Sequence, residues 1–140
     1  MEEKYRFYLD NSSALIPNAE YTLMKLKTMG KKIYSASNGV YSTQIKRLSN
    51  AGIINLFNGH FISEIIKHEK PSPYFFDFCI KNLSEVPKSS ILMVGDSPTS
   101  DMQGAINSGI DSCFYQYDKT TTCTYSKHTI SNISELLGIA

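Results

Sequence analysis

The sequence has no tryptophan, and its three histidines, His60, His68 and His128, stand at spacings that suit no metal site. His68, two residues from Lys70, reads as a solvated loop residue. The three cysteines, Cys79, Cys113 and Cys123, form no C-x-x-C pair, and an odd number cannot all be bridged, so they read as reduced thiols. Cys79 and Cys113 sit among apolar neighbours and are expected in the core; Cys123 lies in a threonine-rich loop and is expected at the surface. No apolar run approaches the roughly 20 residues of a membrane span. The start, Met1-Glu-Glu-Lys-Tyr-Arg6, is charged and has no apolar core of a secretory signal. These absences point to the cytoplasm and to no membrane partner. A formal net charge of +1 leaves no dense Lys/Arg surface for nucleic acid. There is no internal repeat, low-complexity tract or linker.

What is present is ordinary for a globular protein: 140 residues, 41% hydrophobic and 19% charged, enough for one domain over 1–140 with a real core. Residues 1–14 fit two patterns, since Tyr5, Tyr8 and Leu9 share a helix face and Tyr5, Phe7 and Leu9 alternate as in a strand. Pro17-Asn18 starts a helix whose apolar stripe is Leu15, Ile16, Ala19, Leu23 and Leu26, ended by Gly30. Lys31 to Ser37 reads as a strand. A helix over 42–50 turns Ile45 and Leu48 inward. Ile53 to Phe57 is a connection with a turn of helix, and His60 to Glu64 is a short strand. Ser72 and Pro73 open the next helix as N-cap and first residue, with Phe75, Phe76, Cys79, Ile80 and Leu83 on its apolar face. Ile91 to Gly95 is a buried strand. The helix after Asp101 carries Gly104 and Ala105, small enough to pack closely on a sheet, and stops at Gly109. Asp111 to Tyr117 is a strand, 118–125 a polar loop, Thr129-Ile130 a last short strand, and 131–137 a last helix. This alternation predicts an α/β fold: a three-layer, Rossmann-like parallel sheet with helices on both faces.

Three places could carry chemistry, each at the end of a strand or the start of a helix. Asp96, with Asp101 five residues on, closes the strand Ile91–Gly95, where open α/β sheets bind ligands. Two acids with Ser97 and Thr99 suit a hard cation, and equally Asp96 and Ser97 could cap the next helix. Ser37-Asn38-Gly39 offers a hydroxyl, an amide and backbone N–H groups to a phosphate, or is simply a turn. Lys70, in Glu-Lys-Pro-Ser-Pro, could bring an ammonium into a crevice, although most lysines lie at the surface.

The order Ser37, Lys70, Gly95-Asp96, Asp101 on successive βα units resembles the haloacid dehalogenase-like (HAD) hydrolase superfamily, and within it the subgroup that includes pyrimidine 5′-nucleotidases. The stretches that carry the resemblance are 15–19, 33–39, 61–64, 70–73 and 94–109. The resemblance implies a phosphate-monoester hydrolase, with a nucleotide or other small phosphorylated metabolite as substrate and Mg²⁺ as cofactor. It implies that Ser37, Asn38, Gly39 and Lys70 bind phosphate, that Ser37 and Lys70 serve catalysis, and that Asp96 ligates Mg²⁺, with Asp101 a further ligand or a support behind the first.

The resemblance also exposes a gap. The family's chemistry starts at an N-terminal Asp-x-Asp-x-Thr, in which the first Asp attacks phosphorus and the second transfers protons. No Asp-x-Asp occurs in this sequence. Residues 1–14 then read in two ways. They are the tail of a cap helix, the central first strand being missing; or residues 4–9 replace that strand, as in capless members. In the second alignment Asp10 is the nucleophile, with Ser12 and Ala14 in place of the second Asp and the Thr. A missing central strand would leave two columns of buried backbone groups unpaired, so the gap is expected to be filled: by residues 4–9, by the two flanking strands closing up, or by another molecule, whether a second copy or a separate N-terminal half. Function divides accordingly: a weakly active phosphatase, or a catalytically dead fragment, part of a split enzyme or binding domain that keeps a Mg²⁺ and phosphate pocket. A receiver-like or interaction domain on the same scaffold fits less well, because the acidic cluster it needs at the first strand is absent.

Overall fold

The computed structural model describes the backbone of residues 6–9 and all atoms of residues 17–83 and 86–139. Asp10, Ser12, Ala14, Leu15 and Ile16 lie outside the described residues. Six strands form one parallel sheet in the order β3-β2-β1-β4-β5-β6. They are β1 (Arg6–Leu9), β2 (Lys32–Ser37), β3 (Gly59–Ile62), β4 (Ile91–Gly95), β5 (Asp111–Tyr115) and β6 (His128–Ile130). Arg6 to Leu9 therefore take the central place. Leu9 pairs with Ser35 on one side and Val94 on the other. Of the two readings of the N-terminal stretch, the strand holds for these four residues, and the cap helix does not. Both neighbouring strands gain the backbone partners they would otherwise lack.

Among the described residues six helices cover the sheet: α1 (Ala19–Thr28), α2 (Tyr41–Asn50), α3 (Ser63–Ile66), α4 (Pro73–Lys81), α5 (Gln103–Ser108) and α6 (Leu136–Ile139). The two faces follow from strand alternation. Leu92 and Val94 of β4 join Cys113 and Tyr115 of β5 under α1, α2 and α6, with Leu23, Leu26, Leu48 and Leu136. Ile91, Met93 and Phe114 face the other way, against Ile66 of α3, Phe75, Phe76 and Cys79 of α4, and Ala105 of α5. The alternating helices and parallel strands are what the sequence pattern predicts. Among the described residues no helix is long and apolar enough to cross a membrane.

Several boundaries differ from expectation for local reasons. The third strand stops at Ile62, because the Ser63 hydroxyl turns back to the backbone of Gly39 and Ser63 opens α3. Gln44, not Ile45, is buried in α2 beside Leu48, its amide donating to Asn38 O at 3.3 Å. A Cβ at Gly104 would overlap the Phe76 ring, so this glycine brings α5 against α4 rather than against the sheet. The last helix begins as a tight turn over Ile133–Glu135. Asn132 caps it, and the Glu135 carboxylate accepts from the Asn132 and Ser131 N–H groups, which holds its pKa below the ordinary value. Cys123 is half-buried against the α4 side of the core, not exposed.

Candidate active site

The strand order sets where a ligand can enter. The chain builds outward from β1 to β2 and β3, then returns to β4 on the other side of β1. Helices on the two halves therefore diverge, and a crevice opens at the carboxyl ends of β1 and β4. Ser37 ends β2 on one side of it, and Gly95-Asp96 follow β4 on the other.

Lys70 crosses between them. It is 4% exposed, and its Nζ donates to Asp101 Oδ1 at 2.6 Å and to the carbonyl of Ala36 at 2.9 Å. The surface-lysine reading is thus excluded. A buried ammonium is tolerated because a carboxylate and a carbonyl replace its water. Its backbone is held as firmly. The Asn38 side chain accepts from Lys70 N–H at 2.8 Å and donates to Lys70 O at 3.0 Å. The peptide bond from Lys70 to Pro71 is cis.

The opposite wall is shaped by Asp101. Its side chain is fully buried; Oδ1 takes the Lys70 ammonium and Oδ2 accepts from Ser97 N–H at 3.2 Å. A Cβ at Gly95 would overlap that carboxylate, so only glycine lets Asp101 lie over the end of β4. Pro98–Met102 forms one wide π-helical turn before α5, capped by Ser97 Oγ accepting from Ser100 N–H. The cap of this turn is thus Ser97. Asp96 is half-exposed, and its carboxylate lies close enough to Tyr115 to add to the rise that burial imposes on that phenol's pKa.

The expected site residues sort as follows. Ser37, Lys70 and Asp101 converge. The Ser37 hydroxyl is buried and has no hydrogen-bond partner among the described residues, next to the carbonyl that receives Lys70. A buried hydroxyl without a protein partner is one that a ligand oxygen could satisfy. The Asn38 amide grips Lys70, and the Gly39 N–H donates to Ser63 Oγ at 2.8 Å, so both groups have partners within the protein. Asp101, buried and with both oxygens engaged, supports Lys70 and Ser97. Asp96 is the carboxylate of this loop suited to a cation. Among the described residues no three His, Cys, Asp or Glu side chains gather as a metal cage. Mg²⁺ needs only one or two carboxylates when phosphate and water complete its shell, so the donor set fits that ion and not a closed zinc-type site. Burial pushes the Cys79 thiol up and the Cys113 thiol to about 12, so neither is a thiolate nucleophile at neutral pH.

No local pattern marks Asn38 as a clamp, Ser63 as the anchor of Gly39, or Tyr125, whose hydroxyl donates to Pro98 O at 2.6 Å and ties the threonine-rich loop to the Asp96 loop. Each is a contact across many residues, with only Asn38 marked beforehand, for a different role.

A doubly wound α/β sheet with a buried lysine–aspartate pair at its switch point defines the class. The chain belongs to the haloacid dehalogenase-like hydrolases, whose family model matches residues 2–109. The pyrimidine 5′-nucleotidase PynA of Streptococcus pneumoniae is 34% identical over 115 residues, covering 82% of this chain and 48% of that protein. The putative HAD-hydrolase YfnB of Bacillus subtilis is 31% identical over 144 residues, covering 99% of this chain and 61% of that one. The crystal structure of YfnB bound to magnesium matches with a TM-score of 0.84 at 28% identity, over 89% of this chain and 55% of that chain. An uncharacterized protein from Listeria monocytogenes matches in fold over 96% of both chains, with a TM-score of 0.79 at 22% identity. This chain thus spans about half of PynA and three-fifths of YfnB, whereas the Listeria structure has the same fold at nearly the same length.

Proposed function

We propose that this chain carries a Mg²⁺-dependent phosphate-monoester hydrolase site, acting weakly on small phosphorylated metabolites, nucleoside monophosphates among them. One observation carries the reading: Lys70 is buried between Asp101 and the Ala36 carbonyl, beside the unpartnered Ser37 hydroxyl. Asp10 directly follows β1, the strand between those that end at Ser37 and Gly95. In this reading an Asp10 oxygen bonds to phosphorus as the bond to the leaving oxygen breaks, and water then releases phosphate from the aspartyl-phosphate. Ser37 donates its hydroxyl hydrogen to a phosphoryl oxygen. The Lys70 ammonium offsets the charge of phosphate and nucleophile, and such preorganised charge supplies most of phosphoryl-transfer catalysis. Mg²⁺, held by Asp96, would supply further positive charge at the phosphoryl oxygens. Ser12 stands where the family places its general acid. A hydroxyl is a poor acid at neutral pH, so the leaving oxygen takes its proton from water and turnover is slow. The same substitution favours a second reading, a pocket that binds phosphate without turning it over, alone or beside a separate N-terminal half or a second copy.

The deciding measurement is phosphate release from p-nitrophenyl phosphate and uridine 5′-monophosphate at high protein concentration. The expected result is slow, Mg²⁺-dependent release, abolished in Asp10→Asn and Asp96→Ala. Binding of phosphate with no release from wild type, and no phosphoenzyme or beryllofluoride adduct, would replace the hydrolase by the binding domain.

A further inference from the structure

The chain passes from β5 to β6 through residues 116–127, which form neither helix nor strand. A parallel connection is usually made by a helix, and a loop of this length without one is more often functional than a plain link. The loop is fixed along its length. The Asp118 carboxylate accepts from the N–H groups of Thr120 and Thr121 at 2.8 and 2.9 Å. The Gln116 amide donates to Thr121 O at 3.0 Å, Cys123 packs against the α4 side of the core, and Lys127 N–H donates to Ser112 Oγ at 2.9 Å. These contacts fold the loop onto β5 and the core. Tyr125 reaches elsewhere, to Pro98 O, 27 residues back along the chain. Its side chain belongs to a residue 45% exposed, so apolar burial does not account for its place.

Pro98 O is the acceptor on which the wide turn before α5 closes, since it also takes the Gln103 N–H. A carbonyl oxygen has two lone pairs, and here both are used. The residue before it is as fully engaged. Ser97 O accepts from the N–H groups of Asp101 and Met102 at 3.2 and 3.1 Å, Ser97 N–H donates to Asp101 Oδ2, and Ser97 Oγ accepts from Ser100 N–H. Asp96 therefore stands between Gly95, over which Asp101 lies, and Ser97, which the turn holds from three sides. Tyr125 ties that turn, as a unit, to the β5–β6 loop. Wide turns of this kind gather at functional sites.

We infer that Tyr125 is a positioning residue for the metal carboxylate: through Pro98, its hydroxyl sets the turn that aims Asp96 at the carboxyl end of β4. In this role Tyr125 touches neither phosphate nor cation. It acts as the outer partner of a ligating side chain does, by limiting the orientations that side chain can take before the ion arrives. This inference rests on Asp96 as the Mg²⁺ carboxylate of the site proposed above.

The test is metal binding by the full chain, with Mn²⁺ as a paramagnetic stand-in for Mg²⁺ and the free-ion EPR signal as the readout. Inorganic phosphate binding is measured separately without metal. Tyr125→Phe keeps the ring and removes the hydroxyl. Its metal affinity should fall about three- to tenfold, the factor one net hydrogen bond accounts for, while phosphate affinity without metal stays within about twofold, because the tie bears on Asp96 and not on Ser37 or Lys70. Tyr125→Ala should lose metal affinity at least as far. Unchanged metal affinity in Tyr125→Phe, or a loss in Tyr125→Ala alone, overturns the inference and leaves the metal site standing. An equal fall of metal and phosphate affinity in Tyr125→Phe also overturns it, since that is the mark of general loosening and not of positioning. Failure of wild type to bind Mn²⁺, or binding unchanged in Asp96→Ala, removes Asp96 as the metal carboxylate, and the inference with it.

Discussion

The two walls of the crevice are built by different physics. On the β2 side, Ser37 to Gly39 is held by neutral hydrogen bonds: Asn38 to the Lys70 backbone, Gly39 to Ser63, Gln44 to Asn38. On the β4 side, the loop is held by a buried charge pair and by a carboxylate lying over a glycine. A neutral bond contributes little net stability, and its direction fixes a position. A buried ion pair adds little against an apolar alternative, yet removal of one partner strands the other. The β2 wall therefore aims the site, and the β4 wall is a condition for its folding. Variants on the two sides should separate these roles.

The largest effect is expected on the β4 side. Asp101→Ala takes from the buried Lys70 ammonium the carboxylate 2.6 Å away, and should cost about 3–5 kcal/mol of unfolding free energy in urea denaturation. The double variant Asp101→Ala, Lys70→Met removes both charges and should recover much of that loss without restoring phosphate binding. If the single and double variants are equally unstable, the pair is not what holds this wall.

A smaller effect is expected on the β2 side. Asn38→Ala removes two side-chain bonds to one backbone unit and should cost about 1–3 kcal/mol. Its mark should be on position: phosphate affinity should fall by more than the stability loss explains, with the Lys70–Asp101 pair intact. Asn38→Asp keeps the acceptor for Lys70 N–H and loses the donor to Lys70 O, so it should lie between. Asn38→Asp equal to Ala in phosphate affinity would mean that the clamp does not aim Lys70.

The same contrast explains what could be read beforehand. Ser72-Pro73 as a helix start, Gly109 as a stop and Ile91–Gly95 as a buried strand are encoded within a few residues, and they stand where expected. Lys70 and Asp96 were legible through their order along the chain, since order survives into the sheet. The clamp was not legible, because Asn38 and Lys70 are 32 residues apart and a turn-forming Ser-Asn-Gly looks the same whether its amide faces solvent, phosphate or a distant backbone. Burial of Gln44 and of half of Cys123 was missed for the same reason: periodicity reports which face is apolar, not which polar side chain finds a partner under a loop. The N-terminal strand was ambiguous on its own pattern. The need of β2 and β4 for backbone partners, a property of the sheet as a whole, called for something in the gap without saying that Arg6 to Leu9 would fill it.

The smallest effect concerns the outer edge of the β2 half, where His60 of β3 sits with Nδ1 2.8 Å from Ser35 Oγ and its ring beside Phe57. Burial holds its pKa below the ordinary 6.5. A histidine depressed in the folded state binds its proton more readily when unfolded, so acid favours unfolding. Its contribution to stability is complete above pH 6.5 and is lost as pH falls from there through the folded value. Glu135 and Asp118, whose pKa values are held below the ordinary 4.5 and 3.8 by N–H and hydroxyl donors, act only in a more acidic window. The urea midpoint should therefore drop as pH falls below 6.5, and His60→Gln should flatten that part of the curve while leaving the steeper acid limb in place. Because Lys70, Asp101 and the Asn38 clamp are built without a histidine, the affinity for phosphate in His60→Gln should follow the pH profile of the wild-type protein. A shift in that profile would mean that the edge strand and the crevice are coupled, and that the two walls are less separate than their chemistry implies.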